Sequence, residues 1–321
     1  MKPIFLLYFF NLIFTEMPSL QHSFVKMSLH TASYAFQFSK PSVVGLRSLL
    51  DLSTLYTFLP WGVHFREQPI GALYAEWLST DASRTDKVML YLHGGAYAIG
   101  SPHTHRSFVG QLVKKTKINA LVIDYRKAPE HVFPAALDDA LQAYDWLLAQ
   151  GYHPKSIIIA GDSAGGGLSL ACLVALRERK SELPLAGILL SPWVDLEITG
   201  ESVAKNLVND KILNSLELHH MGAAYAGKEP LNHPLISPLH ASLKGLPPLL
   251  IQVSDGEVLY SDALRLQAKA EKATVKVELQ VWKDLIHWWH LFWHIMPEAN
   301  EAIEGISDFI KVQMRLEEAV S

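Results

Sequence analysis

The distribution of apolar residues predicts alternating strands and helices from about residue 61 onward. The run VKVELQV at 275–281 alternates between apolar and polar residues, which predicts a strand at a sheet edge with one wetter face. Five other runs are short and continuously apolar, as expected of strands buried on both faces: VMLYL at 88–92, ALVI at 120–123, IIIA at 157–160, GILL at 187–190 and LLIQV at 249–253. This order predicts an α/β fold with a mostly parallel sheet covered by helices.

Helical spacing of apolar residues separates and follows these strands. One helix is predicted to begin with Pro134 at its first position and to stop at Gly151. A last helix is predicted from about Pro297, and its core face is expected to consist of four residues at helical spacing: Ile303, Ile306, Ile310 and Met314.

Two regions interrupt the alternation, and we predict that they form a cap. They are residues 1–58 and an insertion at about 196–235, whereas residues 59–321 otherwise form the catalytic domain. The first region begins with Lys2 and the apolar run IFLLYFFNLIF, which is typical of a signal peptide but too short to span a bilayer. The following TEMPSLQHS contains no A-x-A-like cleavage site. We therefore expect a cytoplasmic protein without a membrane span, with export through a signal-like start at 1–16 as the alternative. An apolar helix packed on the protein, an over-extended start and a surface membrane anchor also stay open for this segment.

Charge excludes one class of function. The chain of 321 residues has a formal net charge of −4, and its Lys and Arg residues are scattered without a basic run. Because nucleic-acid binding requires a basic patch, we expect no nucleic-acid partner. Whether two subunits pair along the alternating strand stays open, since Lys276 and Glu278 on that strand could also prevent pairing.

The segment GDSAGGG at 161–167 lies directly between the apolar strand at 157–160 and an apolar helix. A G-x-S-x-G pattern alone is weak evidence, but this context predicts the sharp strand-to-helix turn that exposes a nucleophilic serine, Ser163. The backbone N–H of Ala164 then lies at the positive end of the helix and can stabilise an oxyanion. HGGAY at 93–97 follows a neighbouring strand, so Gly94 and Gly95 are predicted to supply further N–H donors.

A serine nucleophile needs a histidine base and a carboxylate that orients this histidine, in the chain order Ser, acid, His. His287 is the first histidine after the last predicted strand and is the candidate base. A metal cluster of His287, His290 and His294 is the alternative use of this segment. For the acid, position favours Asp255 or Glu257 over Asp262, which is expected on the next helix.

These motifs together resemble the hormone-sensitive-lipase-like esterases of the α/β-hydrolase fold. The resemblance covers about residues 59–314 and rests on several segments in the right order: YLHGGAYAIGSPHTHR, DYRKAPEHVFPAALDDA, IAGDSAGGGL, LLSPWVDL, LPPLLIQVSDGEVLYSDA and DLIHWWHLF. It implies that Ser163 is the nucleophile, His287 the base, and Gly94, Gly95 and Ala164 the oxyanion hole. The family's pattern of carboxylate, x, Leu, x, Asp falls on 257–261 and favours Glu257 over Asp255, although the final Asp is shifted to Asp262.

The resemblance implies a serine carboxylesterase for small esters with short to medium acyl chains, which needs no cofactor or metal. Tyr97, Asp162 and Trp288 are predicted to contribute to the substrate pocket. An amidase or a deacetylase would use the same residues and is the alternative within enzymes. A non-catalytic small-molecule receptor is the alternative from another class, because related receptors keep the fold but lose the catalytic histidine.

Overall fold

The computed structural model describes residues 11–13, 17–39, 42–53, 58–207, 210, 213 and 215–319. The signal-like start predicted at 1–16 lies outside the described residues except for 11–13, whose backbone forms a short strand. The prediction for this segment therefore stays a prediction.

The described strands form one nine-stranded sheet. Its order is β1-β9-β8-β7-β6-β4-β5-β3-β2, in which β2 and β3 pair antiparallel and β3 runs antiparallel to β5, while the other pairs are parallel. The strands are β1 (Asn11–Ile13), β2 (Val63–Glu67), β3 (Ala75–Thr80), β4 (Arg84–Leu92), β5 (Ile118–Ile123), β6 (Ile157–Asp162), β7 (Ala186–Leu190), β8 (Leu249–Ser254) and β9 (Val277–Trp282).

The five continuously apolar runs lie in β4 to β8, and β4 explains why they are apolar throughout. Leu90 and Leu92 pack into the core on one face of the sheet, whereas Met89 and Tyr91 pack into the core on the other. Each fully buried side chain of this size contributes about 1.5–3 kcal/mol of hydrophobic free energy. The predicted α/β fold with a mostly parallel sheet is confirmed.

The prediction for the alternating run at 275–281 was right about a wetter face at Lys276, which is exposed, and Glu278, which is half-buried, but wrong about the edge position. β9 lies between β8 and β1, so within the described residues it is not an edge strand. Its polar Gln280 is buried, because its side chain accepts a hydrogen bond from Gln252 and lies against Gly305 of the last helix. The side chain of Gln280 is thus satisfied by a polar partner rather than by water.

Helices cover both faces of the sheet. Pro134 precedes the helix it was predicted to start, the predicted stop Gly151 has a φ of +90°, and the last helix begins at Pro297 as predicted. The described helices are α1 (Leu20–Ser39), α2 (Val43–Ser53), α3 (Pro102–Thr116), α4 (Ala135–Ala149), α5 (Ala164–Glu178), α6 (Glu201–Asn206), α7 (Ser215–Ala226), α8 (Tyr260–Lys272) and α9 (Pro297–Glu318). On α9, Ile303, Ile306 and Ile310 are buried, whereas Met314 is only half-buried.

None of the helices in the described ranges combines the length and apolar character needed to cross a bilayer.

The parallel arrangement brings several loops to one edge of the sheet. The carboxyl ends of β4, β6, β7, β8 and β9 lead into the segments that begin at residues 93, 163, 191, 255 and 283. Because ligands of open α/β sheets bind outside the carboxyl ends of the strands, the predicted site is expected at this edge.

Candidate active site

Ser163 lies on a sharp turn between β6 and α5. Its φ of 53° and ψ of −121° are unusual for a residue with a side chain, and such strain persists only where the surroundings hold it. The Ser163 N–H donates to the carbonyl of Leu190, and the Ser163 carbonyl accepts from the N–H of Trp193. A Cβ on Gly165 would lie 2.0 Å from the Leu92 carbonyl oxygen, so only glycine lets the helix approach β4 this closely.

Three side chains that are far apart in the sequence are linked by two consecutive hydrogen bonds. The Ser163 hydroxyl donates to His287 Nε2 over 2.9 Å, and His287 Nδ1–H donates to Glu257 Oε2 over 2.7 Å. His287 and Glu257 are fully buried, and Ser163 is 3% exposed. This arrangement can remove the proton from a serine hydroxyl and keep the resulting imidazolium paired with a carboxylate.

The surroundings of Glu257 orient its carboxylate. Its Oε1 accepts the Ser191 hydroxyl and the Ser254 N–H, both over 2.8 Å, which leaves Oε2 for His287. Asp255, the alternative acid, points elsewhere: it pairs with Lys283 over 2.9 Å and accepts the N–H of Asp284. The structure thus brings Glu257, and not Asp255, to His287.

Electrostatics around His287 favour its protonated form. Burial opposes a charge on the ring, but the hydrogen bond and charge of Glu257, with further contributions from Asp210 and Asp162, outweigh it and raise the pKa of His287. A base whose pKa lies near the operating pH is suited to transfer protons in both directions.

The predicted oxyanion donors differ in their surroundings. Gly95 has a φ of 123°, and a Cβ there would lie 2.2 Å from the Ile99 carbonyl oxygen, so the loop requires glycine. Ala164 is the first residue of α5. The N–H of Gly94 instead donates to Asp162 Oδ1 over 3.0 Å. In the described part of the chain, no protein acceptor is recorded for the N–H groups of Gly95 and Ala164.

Asp162, predicted as a pocket residue, lies beneath the nucleophile among protein partners. Besides Gly94, its carboxylate accepts the Tyr91 hydroxyl over 2.8 Å and lies 3.3 Å from His105 Nε2. Burial opposes the ionisation of Asp162, but the charge and hydrogen bond of His105 and the bond from Tyr91 lower its pKa to about 2. Asp162 therefore joins the loop at 93–97 to the turn that carries Ser163.

The other two predicted pocket residues occupy different environments. Tyr97 is buried and stacks on Tyr225 of α7 with ring centroids 3.7 Å apart. Trp288 is half-buried, and its ring lies 5.8 Å from that of His287 at an interplanar angle of 26°. The indole Nε1 of Trp288 lies 3.0 Å from where a Cβ of Gly94 would be, so Trp288 borders the loop at 93–97.

The three histidines of the alternative metal cluster do not act together. His290 Nε2 hydrogen-bonds Gln252 Oε1, and its ring stacks on Trp289, while His287 faces Glu257. Burial lowers the pKa of His290 to about 3. Among the described residues, Asp195, Glu197 and His240 lie close enough to share an ion, but Arg265 already pairs with Asp195.

Sequence patterns did not indicate every residue at this site. Ser191 follows the end of β7 directly, and this position at the carboxyl edge of the sheet was the signal that could have identified it as a partner of the acid. Asp210 lies in the irregular insertion, where no motif distinguishes it, yet its carboxylate accepts the N–H of Val258 next to Glu257.

Comparison with known proteins is consistent with this geometry. A family model described as alpha/beta hydrolase fold matches residues 89–291. The chain is 42% identical to an acetyl-hydrolase of Streptomyces hygroscopicus over 75% of this chain and 81% of that protein. It is 36% identical to an esterase of Acinetobacter venetianus over 82% of this chain and 87% of that protein.

Solved structures give the same picture. A crystal structure of an esterase from the bacterial hormone-sensitive lipase family superposes with a TM-score of 0.87 at 39% identity, covering 93% of this chain and 99% of that one. The esterase EstE5, whose crystal was soaked with p-nitrophenyl butyrate, superposes with a TM-score of 0.85 at 37% identity over 92% and 99% of the two chains.

Proposed function

The chain belongs to the α/β-hydrolase family and, within it, to the hormone-sensitive-lipase-like esterases, and from this premise we propose that it hydrolyses carboxylic esters with Ser163 as nucleophile. The observation that carries the proposal is the unbroken chain of hydrogen bonds from Ser163 through His287 to Glu257. A receptor that binds a ligand without reacting with it would not need these hydrogen bonds between Ser163, His287 and Glu257.

In the first half of the proposed reaction, Ser163 Oγ attacks the ester carbonyl carbon while its proton moves to His287 Nε2. The N–H groups of Gly95 and Ala164 then stabilise the negative charge on the former carbonyl oxygen, and removing one such donor typically costs about 3–4 kcal/mol. His287 returns the proton to the alcohol oxygen as the carbon–oxygen bond breaks. The alcohol leaves, and the acyl group stays on Ser163.

In the second half, water replaces the alcohol. His287 accepts a proton from the water as its oxygen attacks the acyl carbon, and it then protonates Ser163 Oγ as the acid leaves. Glu257 stays ionised throughout and holds the ring of His287 with Nε2 directed at the reacting atoms. No metal or cofactor takes part in this scheme.

The proposed substrates are esters of short to medium acyl groups. The relative from Streptomyces is named an acetyl-hydrolase, which favours the short end of this range. We further propose that residues 1–58 and 196–235 form the cap that covers the site. Arg47 of α2 supports this, since it donates to the carbonyls of Ala98 and Ala128, near the oxyanion loop.

Hydrolysis of p-nitrophenyl esters from acetate to laurate by the purified chain tests the proposal. We expect Ser163→Ala to abolish turnover and labelling by a fluorophosphonate, whereas Ser48→Ala, which removes an exposed hydroxyl on α2, should retain both. The chain length with the highest kcat/KM would report the depth of the acyl pocket. Wild-type turnover no greater than that of Ser163→Ala would reject the esterase and favour the receptor.

A further inference from the structure

We propose that Asp210, in the cap insertion, is a positioning residue that holds the segment carrying Glu257 and adds a negative charge to the surroundings of His287. The proposal rests on the proposed function, because it assigns a role relative to Glu257 and His287 in that reaction. Asp210 does not touch the reacting atoms, so it acts through these two residues.

The first support is the contact between Asp210 and the backbone beside the acid. Asp210 Oδ2 accepts the Val258 N–H over 3.1 Å, and Asp210 is only 1% exposed. The N–H of Asp210 donates to the Asn206 carbonyl over 2.8 Å, which ties the residue to the end of α6. A buried carboxylate that accepts a backbone N–H fixes that peptide, since removing the acceptor would leave a buried donor unsatisfied.

The neighbouring residues of the insertion hold the same segment from the same side. Asn206 Nδ2 donates to the carbonyls of Asp255 and Glu257, both over 2.8 Å. Ser202 Oγ donates to the Val258 carbonyl and accepts the Ser261 N–H. The insertion therefore binds the backbone of residues 255–261 at several points, and Asp210 is its buried ionisable member.

The second support is the charge of Asp210. Burial raises the pKa of Asp210 to about 6; the charge of His287 opposes this rise, and the charge of Glu257 adds to it. The charges of Glu257, Asp210 and Asp162 in turn raise the pKa of His287. Near neutral pH the ionised Asp210 favours protonated His287, so loss of its charge should make His287 easier to deprotonate.

Two substitutions separate the contact from the charge. Asp210→Ala removes both, and we expect it to lower kcat by at least about tenfold with KM little changed, because misplacing a catalytic group slows the chemical step. Asp210→Asn can keep its oxygen at the Val258 N–H and place its NH2 group where Asp210 Oδ1 accepts only the 3.4 Å bond from the Leu213 N–H, so it should restore most of kcat. It should nevertheless shift the acid limb of kcat/KM to lower pH by about half a unit or more.

The matched control is Glu201→Gln, which removes an exposed carboxylate from the same insertion and should leave both kcat and the acid limb unchanged. Thermal unfolding of each variant establishes that it is folded at the assay temperature. An NMR titration of His287 provides a second measurement that does not depend on turnover, and it should give a lower pKa in Asp210→Asn than in the wild type.

The outcomes distinguish this inference from the proposed function. If the wild type shows Ser163-dependent hydrolysis but Asp210→Asn has the wild-type acid limb and the wild-type His287 titration, the charge coupling is overturned. If folded Asp210→Ala keeps full kcat, the positioning role is overturned. If the wild type shows no Ser163-dependent hydrolysis, the proposed function fails, and the role assigned to Asp210 fails with it.

Discussion

Replacing Glu257 by Gln tests the geometry around the proposed catalytic acid most directly. One carboxylate oxygen of Glu257 accepts the Ser191 hydroxyl and the Ser254 N–H, and the other accepts His287 Nδ1–H. The Ser254 N–H belongs to the backbone of β8, so it cannot reorient and can only donate a hydrogen bond. In Glu257→Gln the amide oxygen must therefore stay beside Ser254, and the NH2 group must face His287.

This orientation reverses the tautomer of His287. An NH2 group opposite Nδ1 requires Nδ1 to accept, so the ring proton moves to Nε2, which then cannot accept the proton of Ser163. In serine hydrolases, such a tautomer change lowers kcat by about 10⁴-fold. We expect Glu257→Gln to lower kcat by about 10³- to 10⁴-fold, equivalent to about 4–5 kcal/mol of activation free energy.

The assay is steady-state hydrolysis of p-nitrophenyl acetate, with Asp255→Asn as the matched control. The side chain of Asp255 is 28% exposed and its partner Lys283 is 53% exposed, and such pairs contribute little. Asp255→Asn should therefore retain kcat within about fivefold, since exposed pairs contribute about 0–1 kcal/mol. A larger loss in Asp255→Asn than in Glu257→Gln would refute the assignment of the acid and transfer it to Asp255.

The remaining predictions concern protonation. Because neighbouring carboxylates raise the pKa of His287 above 6.5 and only neutral His287 can act as base, kcat/KM should fall as pH drops through a value above 6.5. A flat profile from pH 5 to 8 with chemistry rate-limiting would contradict its role. Burial lowers the pKa of His290 to about 3, so between pH 7 and pH 5 only the unfolded state gains a proton there, and the free energy of unfolding should fall by about 2 kcal/mol from this residue. His290→Gln still offers a donor to Gln252 but has no group that titrates in this range. In urea unfolding, its free energy of unfolding should therefore fall by about 2 kcal/mol less than that of the wild type between pH 7 and pH 5. Equal decreases in variant and wild type would refute the shift.

Much of the fold was predictable because its rules are local. A strand buried on both faces must be mostly apolar, as the runs in β4 to β8 are apart from Gln252, and the G-x-S-x-G segment between a strand and a helix predicts a tight turn wherever it occurs. The alternating pattern of β9 led to the wrong prediction of an edge strand because it, too, reports only local sequence. Alternation reports polar side chains, but it does not tell whether their partner is water or, as for Gln280, another buried amide.

At the candidate site, local sequence patterns could not predict which residues contact one another. Asp255 and Glu257 are two residues apart in one loop, and position alone could not choose between them. The choice depends on Ser191, which follows β7, and on His287, which follows β9, because both hydrogen-bond to the carboxylate of Glu257. The Gly94 N–H was predicted from its motif, but its hydrogen bond to Asp162 depends on the register between β4 and β6.

The alternation of strands and helices along the chain, the turn at Ser163 and the candidate serine, histidine and acids could be read from local patterns, because periodicity and turn chemistry act over a few neighbouring residues. The pairing of Glu257 with His287, and the bond from the Val258 N–H to Asp210 of the insertion, depend on how the folded chain packs. Hydrogen bonds between residues that are 30 to 124 positions apart depend on how the strands are ordered in the sheet and how the loops pack above it. No pattern in neighbouring residues encodes that order.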